Sequence, residues 1–378
     1  MGSLLPAITG TMWLYIVWRF VWPMGSRVWV RLGLALLLLL ASQVHQITGR
    51  YFGSLASPEV PHAVLVVLVW AFAFVLLLSI LLLLRDIIGV LVWLPLRQSG
   101  RWVLGAPAVR LGLGVLALGL ATLGVWQAIR VPDVRQVSVT IPHLPAALDG
   151  YEIVQLTDLH ASQLLPRSWQ ASVVARANQL KPDLIVITGD LSDGTVAARA
   201  DDVQPLARLS APDGVIAIPG NHEYYSNYSQ WIPAYRALGL TLLENSHVLI
   251  LHGGATLAVV GLTDRQAQRF GLPGPDLHAA MQGVPVDAVV LLLEHRPGSA
   301  PENARAGVTL QLSGHTHGGQ ILGLHYLTQR VNNGFVSGLY AVGNMALYVS
   351  NGTGLWNGLA VRLGRSSEIT RITLRAGR

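Results

Sequence analysis

Val60–Leu84 is an apolar run with only Pro61 and His62 as early interruptions, and Leu111–Ile129 is a second. A helix of about 20 apolar residues crosses the hydrocarbon core of a bilayer, so both segments predict membrane spans. The second is rich in Gly and Ala, which lets helices approach closely. Two further candidates precede them. Leu4–Trp22 carries Arg19 near one end, where it can snorkel, and Val28–Ile47 carries Arg31 near its start. Ile87–Leu96 is too short to span and reads as an interfacial segment. Several of Trp13, Trp18, Trp22, Trp29, Trp70, Trp93 and Trp126 fall near the proposed helix ends, as an interfacial belt requires. Residues 1–130 are therefore expected to form an all-α membrane domain of about four transmembrane helices, near 4–22, 28–47, 60–84 and 111–129. A signal peptide over residues 1–24 is the competing reading. It fails because no Lys or Arg precedes the apolar run and no A-x-A site follows it.

Composition agrees. Charged residues make up 12% of the 378 positions, against about 25% in soluble domains, too few to cover an ordinary globule. There is no Cys, which excludes disulfides, zinc–thiolate sites, iron–sulfur clusters and thiol nucleophiles. The net charge of +6 does not indicate a nucleic-acid partner. Residues 1–130 carry +7 (nine Arg against Glu59 and Asp86), and residues 131–378 carry −1. The excess is membrane-flanking charge. Its placement predicts topology. Arg19, Arg27 and Arg31 lie between spans one and two, and Arg85, Arg97, Arg101 and Arg110 between spans three and four. Arg-rich loops face the cytoplasm. With four spans, both termini and the polar half of a plasma (inner) membrane protein then lie outside it, in the periplasm or its equivalent. One span already anchors a protein. Four favour a platform for a lipid-like substrate over a plain anchor.

From about Gln136 short apolar runs alternate with Gly, Pro and Asp clusters. Ser138–Ile141, Glu152–Leu156, Leu184–Ile187, Val215–Ile218, Leu257–Gly261, Ala288–Leu293, Val308–Leu312, Leu347–Ser350 and Ile369–Leu374 read as strands. Ser168–Leu180 and Ala198–Leu209 read as helices. The pattern is that of a layered α/β domain over residues 131–378. Five strands share one feature: candidate metal ligands lie just beyond their carboxyl ends. These are Asp158 and His160, then Asp190, then Asn221 with His222, then His295, then His315 with His317. Sites in open α/β sheets form outside such ends. Asp158/His160 and His315/His317 are i, i+2 pairs, and in extended backbone alternate residues share a side. Gly189, Gly220, Gly314, Gly318 and Gly319 permit tight turns beside them. The competing reading, unrelated turn residues, requires the coincidence five times in order.

These blocks, TDLH, TGDLSD, PGNHE, EH and GHTHGG, resemble the calcineurin-like metallophosphoesterases. That family's series is D-x-H, G-D-x-x-D, G-N-H-D/E, H and G-H-x-H. The resemblance runs from about Ser138 to the end of the sequence and is strongest to the branch with N-terminal membrane helices. It implies a four-layer αββα sandwich and two divalent metal ions (Mn, Fe or Zn). It also implies hydrolysis of a phosphoric ester by a metal-bridging hydroxide. Residue by residue, it assigns Asp158, His160 and His317 to one metal, and Asn221, His295 and His315 to the other. Asp190 would bridge them. His222 would act uncoordinated on the leaving group or a phosphate oxygen, with Glu223 orienting it, and Asp193 would not touch metal.

The lipid bilayer is the expected partner, and a phospholipid or other amphiphilic phosphate ester the expected substrate. A UDP-2,3-diacylglucosamine pyrophosphate is the runner-up; its cytoplasmic origin conflicts with the Arg asymmetry. A non-catalytic, metal-bound membrane sensor is the alternative from another class. Tyr224–Trp231 reads equally as a core-packing helix start or as a substrate wall. Arg265 and Arg269 read as solvated charge before phosphate contacts. His45, His62, His143, His247, His252, His278 and His325 lie outside any motif.

Overall fold

The computed structural model describes residues 4–377, which gather into two compact units. One holds the chain up to Gln127 together with Asn357–Leu363; the other holds Ala128–Trp356 and the chain from Gly364.

The first unit is helical. α1 (Leu4–Ile16) continues through a π-helical turn, Val17–Val21. α2 (Val28–Ser42), α3 (Val44–Tyr51), α4 (His62–Trp93), α5 (Arg97–Gly105) and α6 (Pro107–Ile129) follow. Three helical stretches, Leu4–Val21, α4 and α6, are long and apolar enough to cross a membrane. The run expected over 28–47 is broken: α2 and α3 bend by 56°, because Gln43 leaves helical geometry at φ −100°, ψ 9°. The expected interfacial segment Ile87–Leu96 is corrected, since α4 runs unbroken for 32 residues to Trp93. At 1.5 Å per residue that is about 48 Å, longer than the apolar core of a bilayer is thick. Asp86 does not interrupt α4 because its carboxylate is satisfied. It accepts from Tyr15 Oη at 2.8 Å, from Arg19 at 2.7 and 2.8 Å, and from Arg85. Asn357–Leu363 belongs with these helices through Arg362 N donating to Gly124 O at 2.9 Å and Asn357 Nδ2 to Leu55 O at 3.3 Å.

The second unit is a four-layer αββα sandwich. Its strands are β1 (Asp133–Pro142), β2 (Glu152–Leu156), β3 (Leu184–Thr188), β4 (Val215–Ile218), β5 (Thr241–Leu242) and β6 (Ser246–His252). β7 (Ala255–Gly261), β8 (Val289–Leu293), β9 (Leu310–Ser313), β10 (Gly338–Val342), β11 (Met345–Val349) and β12 (Glu368–Gly377) complete them. Two six-stranded sheets result, ordered β1-β12-β2-β3-β4-β5 and β10-β11-β9-β8-β7-β6. Alternation along β3 explains the layering. Leu184 and Val186 face the opposite sheet, packing with Leu257, Val259, Leu291 and Leu310. Ile185 and Ile187 face outward onto Trp169, Val173 and Ala177 of α7 (Arg167–Gln179). The second sheet buries Val260, Val290 and Leu292 against Ala280 and Ala300 on its outer side. Strands covered on both faces read as continuous apolar runs, as β3 and β8 do. β2, β3 and β4 run parallel, as do β8 and β9, so their carboxyl ends meet along one edge.

Candidate metal centre

That edge collects the ligand blocks. His315 N donates to both oxygens of Asp158 at 3.1 Å, and His295 Nδ1 donates to Thr188 O at 2.7 Å. These contacts join the β9 and β8 ends to the β2 and β3 ends. Two glycines make the approach possible. A Cβ on Gly220 would lie 2.1 Å from Asp190 Oδ1, and one on Gly314 would lie 2.1 Å from Thr157 Oγ1. The expectation of extended i, i+2 pairs is corrected. Asp158, His160, Asp190, His315 and His317 all have positive φ, between 44° and 66°. Each pair converges through left-handed turns, not pleated alternation. Such backbone is costly for residues with a Cβ and concentrates at functional sites.

The structure brings Asp158, His160 and His317 into one cluster of potential ligand atoms, and Asp190, His295 and His315 into another. Asp190 lies between them: its Oδ2 is 3.2 Å from His295 Nε2 and 3.8 Å from His160 Nε2. Outer partners set the imidazole tautomers. His160 Nδ1 donates to Asp193 Oδ1 (3.1 Å) and His295 Nδ1 to Thr188 O, which turns both Nε2 lone pairs inward. The His160 Nε2 atom is buried and lacks a hydrogen-bond partner, and that of His295 faces the Asp190 carboxylate. A buried imidazole nitrogen left without a partner is costly. Carboxylate and imidazole donors in this arrangement suit a Mn, Fe or Zn ion.

Burial pushes the Asp190 carboxyl up, but the imidazoles of His295, His222 and His160 outweigh it and hold it well below the usual range. Asp193 is likewise brought to about 2 by His160 and His222 against the effect of burial. Burial alone would lower His222; Asp193 and Asp190 raise it to about 9. An imidazole so placed keeps its proton at neutral pH.

Glu223, expected to orient His222, meets other groups. Its carboxylate accepts from the backbone N–H groups of Gly220 (2.7 Å), Leu191 (2.8 Å) and Asp190 (3.2 Å), and from Tyr235 Oη (3.2 Å). It fixes the loop that carries Asp190. Asp193 holds His222 instead, with Nδ1 2.5 Å from Oδ1. The open reading of Tyr224–Trp231 divides: Tyr224 and Trp231 are buried, whereas Tyr225 is 52% exposed and its ring lies 5.4 Å from that of His222. Trp356 forms a second wall at 5.9 Å. Asn221 Oδ1 and His315 Nε2 both meet a side chain the sequence reading passed over, Arg296.

A four-layer sandwich that delivers Asp, His and Asn to one sheet edge defines a metallophosphoesterase site. The family model described as calcineurin-like phosphoesterase matches residues 151–319. A "Transmembrane protein with metallophosphoesterase domain" from Danio rerio is 33% identical over 270 residues, 69% of this chain and 61% of that protein. The Bos taurus protein of the same description is 35% identical over 282 residues, 71% and 63% of the two chains. An uncharacterized metallophosphoesterase of Campylobacter jejuni is 32% identical over 267 residues, 70% and 69%. The chain belongs to the calcineurin-like phosphoesterase family. It spans somewhat under two thirds of the length of the two vertebrate relatives.

Proposed function

We propose that this chain is a membrane-integrated phosphoric ester hydrolase that works with two divalent cations. Asp158, His160 and His317 would hold one and Asn221, His295 and His315 the other, with Asp190 shared. The observation that carries this reading is the position of Asp190 between two Asp/His clusters, with the buried Nε2 atoms of His160 and His295 turned toward it. When bound, such ions supply Lewis-acid charge to the phosphoryl oxygens and lower the pKa of a water. The chain's own residues do the rest. Asp193 holds His222 by Nδ1, which leaves Nε2 free to give a proton to the departing alkoxide. Glu223 keeps the Asp190 loop rigid through three backbone N–H groups. Tyr225 and Trp356 flank His222 and limit how the ester's leaving group enters.

An amphiphilic substrate is favoured by apolar side chains exposed near the site. Phe270 stands beside Tyr225, their ring centroids 6.3 Å apart, and Leu322, Tyr326, Leu327 and Val331 follow the ligand His317. The apolar helices favour the bilayer as its source. With the bent pair counted as one span, the Arg-rich loops favour an extracytoplasmic site.

The test is hydrolysis of an aryl phosphodiester and an aryl phosphomonoester by the detergent-purified chain, with Mn²⁺ or with chelator. The expected result is Mn²⁺-dependent turnover that Asp190→Asn lowers on the order of 10³-fold and His222→Ala reduces less. Bound metal without turnover on either ester or on phospholipid vesicles favours the sensor reading. A C-terminal topology reporter on the cytoplasmic side would favour the nucleotide–lipid pyrophosphate.

A further inference from the structure

Arg296 immediately follows the ligand His295 beyond β8, and all three nitrogens of its guanidinium are used. Nε donates to Asp264 Oδ2 at 2.7 Å, Nη2 donates to Asn221 Oδ1 at 2.8 Å, and Nη1 lies 2.6 Å from His315 Nε2. Its partners lie just beyond the ends of β7, β4 and β9. The pair is well enclosed: the Asp264 side chain is 1% exposed and that of Arg296 16%. Asp264 is itself fixed, because its other oxygen accepts from Gln266 N at 2.7 Å.

A guanidinium is a permanent cation that only donates. For the contact with His315 to be a hydrogen bond, Nε2 must be the acceptor. That is the same lone pair a metal ion would take. Asn221 Oδ1 is engaged likewise. A lone pair directed at an N–H cannot at the same time coordinate an ion, so the two uses of His315 Nε2 are exclusive; Asn221 Oδ1 keeps a second lone pair, and there the guanidinium opposes an ion by its charge.

We propose that Arg296 competes with the second cation for Asn221 and His315, and that Asp264 keeps the displaced guanidinium at the site, where it binds the phosphate of the substrate. This rests on the two-cation reading above. Displacement leaves the Nε contact to Asp264 in place and frees both Nη groups. Their planar fork matches two oxygens of a phosphoryl group. A guanidinium beside a divalent cation is repelled unless an anion lies between them. Phosphate therefore favours the displaced position, and the second ion and phosphate bind cooperatively. By linkage, each tightens the other by the same factor.

The experiment is a Mn²⁺ titration of the full chain in detergent by calorimetry, with electron paramagnetic resonance reporting the coupled Mn–Mn pair. It is run with and without orthophosphate on the wild type, Arg296→Gln and Arg296→Lys. The wild type should load in two steps, the second tightened by orthophosphate. In Arg296→Gln the second dissociation constant should fall about ten-fold or more without phosphate, the scale of a lost charge-assisted hydrogen bond, and the effect of phosphate should shrink. Arg296→Lys, which keeps the charge without the fork, should lie between them. It serves as the test if the Gln variant does not fold, a fold-intact first step being the criterion. A second dissociation constant that is the same in wild type and variants overturns the inference and leaves the phosphoesterase reading standing. The predicted two-step loading without ester hydrolysis does the reverse.

Discussion

The two units handle charge and apolar surface in opposite ways. In the helical unit large apolar side chains point outward: Leu37 is 64% exposed, Val67 61% and Val115 71%. Its internal polar cluster is closed, with Asp86 accepting from Tyr15, Arg19 and Arg85 together. The sandwich buries its apolar side chains in three layers and leaves its polar cluster open, with His160 Nε2 buried and without a hydrogen-bond partner. A structural charge cluster is satisfied by its own residues. The Asp158, His160 and Asp190 cluster is not, as the cation reading proposed for it requires.

The comparison breaks most visibly at Asp190. Asp190→Asn removes the carboxylate between the two ligand sets, and ester turnover should fall on the order of 10³-fold. Mn²⁺ binding measured by calorimetry should weaken in parallel. Unchanged turnover would mean that the open cluster is not the reacting centre. Asp86→Ala is the counterpart in the helical unit. It strands Arg19 and Arg85 among apolar helices and should cost about 3–5 kcal/mol of stability, read by denaturation in mixed micelles, while Mn²⁺ binding is retained. Next comes a matched pair. Leu37→Lys should cost about 2.5–3.5 kcal/mol if α2 lies in hydrocarbon. Leu251→Lys, at 77% exposure on the edge strand β6, should change stability by no more than about 0.5 kcal/mol. Equal effects in bilayer-reconstituted protein would contradict the membrane reading of α2.

Particular residues show where the sequence was legible. β2, β3, β4, β8 and β9 are apolar runs ending in Asp, His or Asn, so both strand and ligand are visible together. β6 and β10 are half-exposed edge strands, and their short apolar runs, Val248–Leu251 and Leu339–Val342, are not among the strands read from the sequence. Left-handed backbone at Asp158, His160, Asp190, His315 and His317 has no local signature in residues that carry a Cβ, and the pairs were read as extended for that reason. Arg296 could have been flagged as a basic residue directly after the EH block. Nothing local says that its side chain turns back to Asn221. The same holds for α4: Arg85 and Asp86 look like a helix end until Arg19 and Tyr15, far off in sequence, are seen to pair with Asp86.

Asp193 is the smallest and most discriminating test of an open cluster. One oxygen, Oδ1, accepts from both His160 Nδ1 at 3.1 Å and His222 Nδ1 at 2.5 Å, so a single carboxylate sets the tautomer of both imidazoles, the one proposed as a ligand and the other as the proton donor. Changing such an outer partner costs about 10–100-fold in metal affinity or activity. Asp193→Asn keeps the shape but removes the charge, and its amide can present N–H groups toward the rings. Turnover of the aryl ester should fall within that range, and the first Mn²⁺ dissociation constant should rise, because His160 loses its anchor. His222→Ala should lower turnover and leave the first dissociation constant where it was. If Asp193→Asn moves turnover alone, Asp193 serves only His222, and the cation cluster is held together without it.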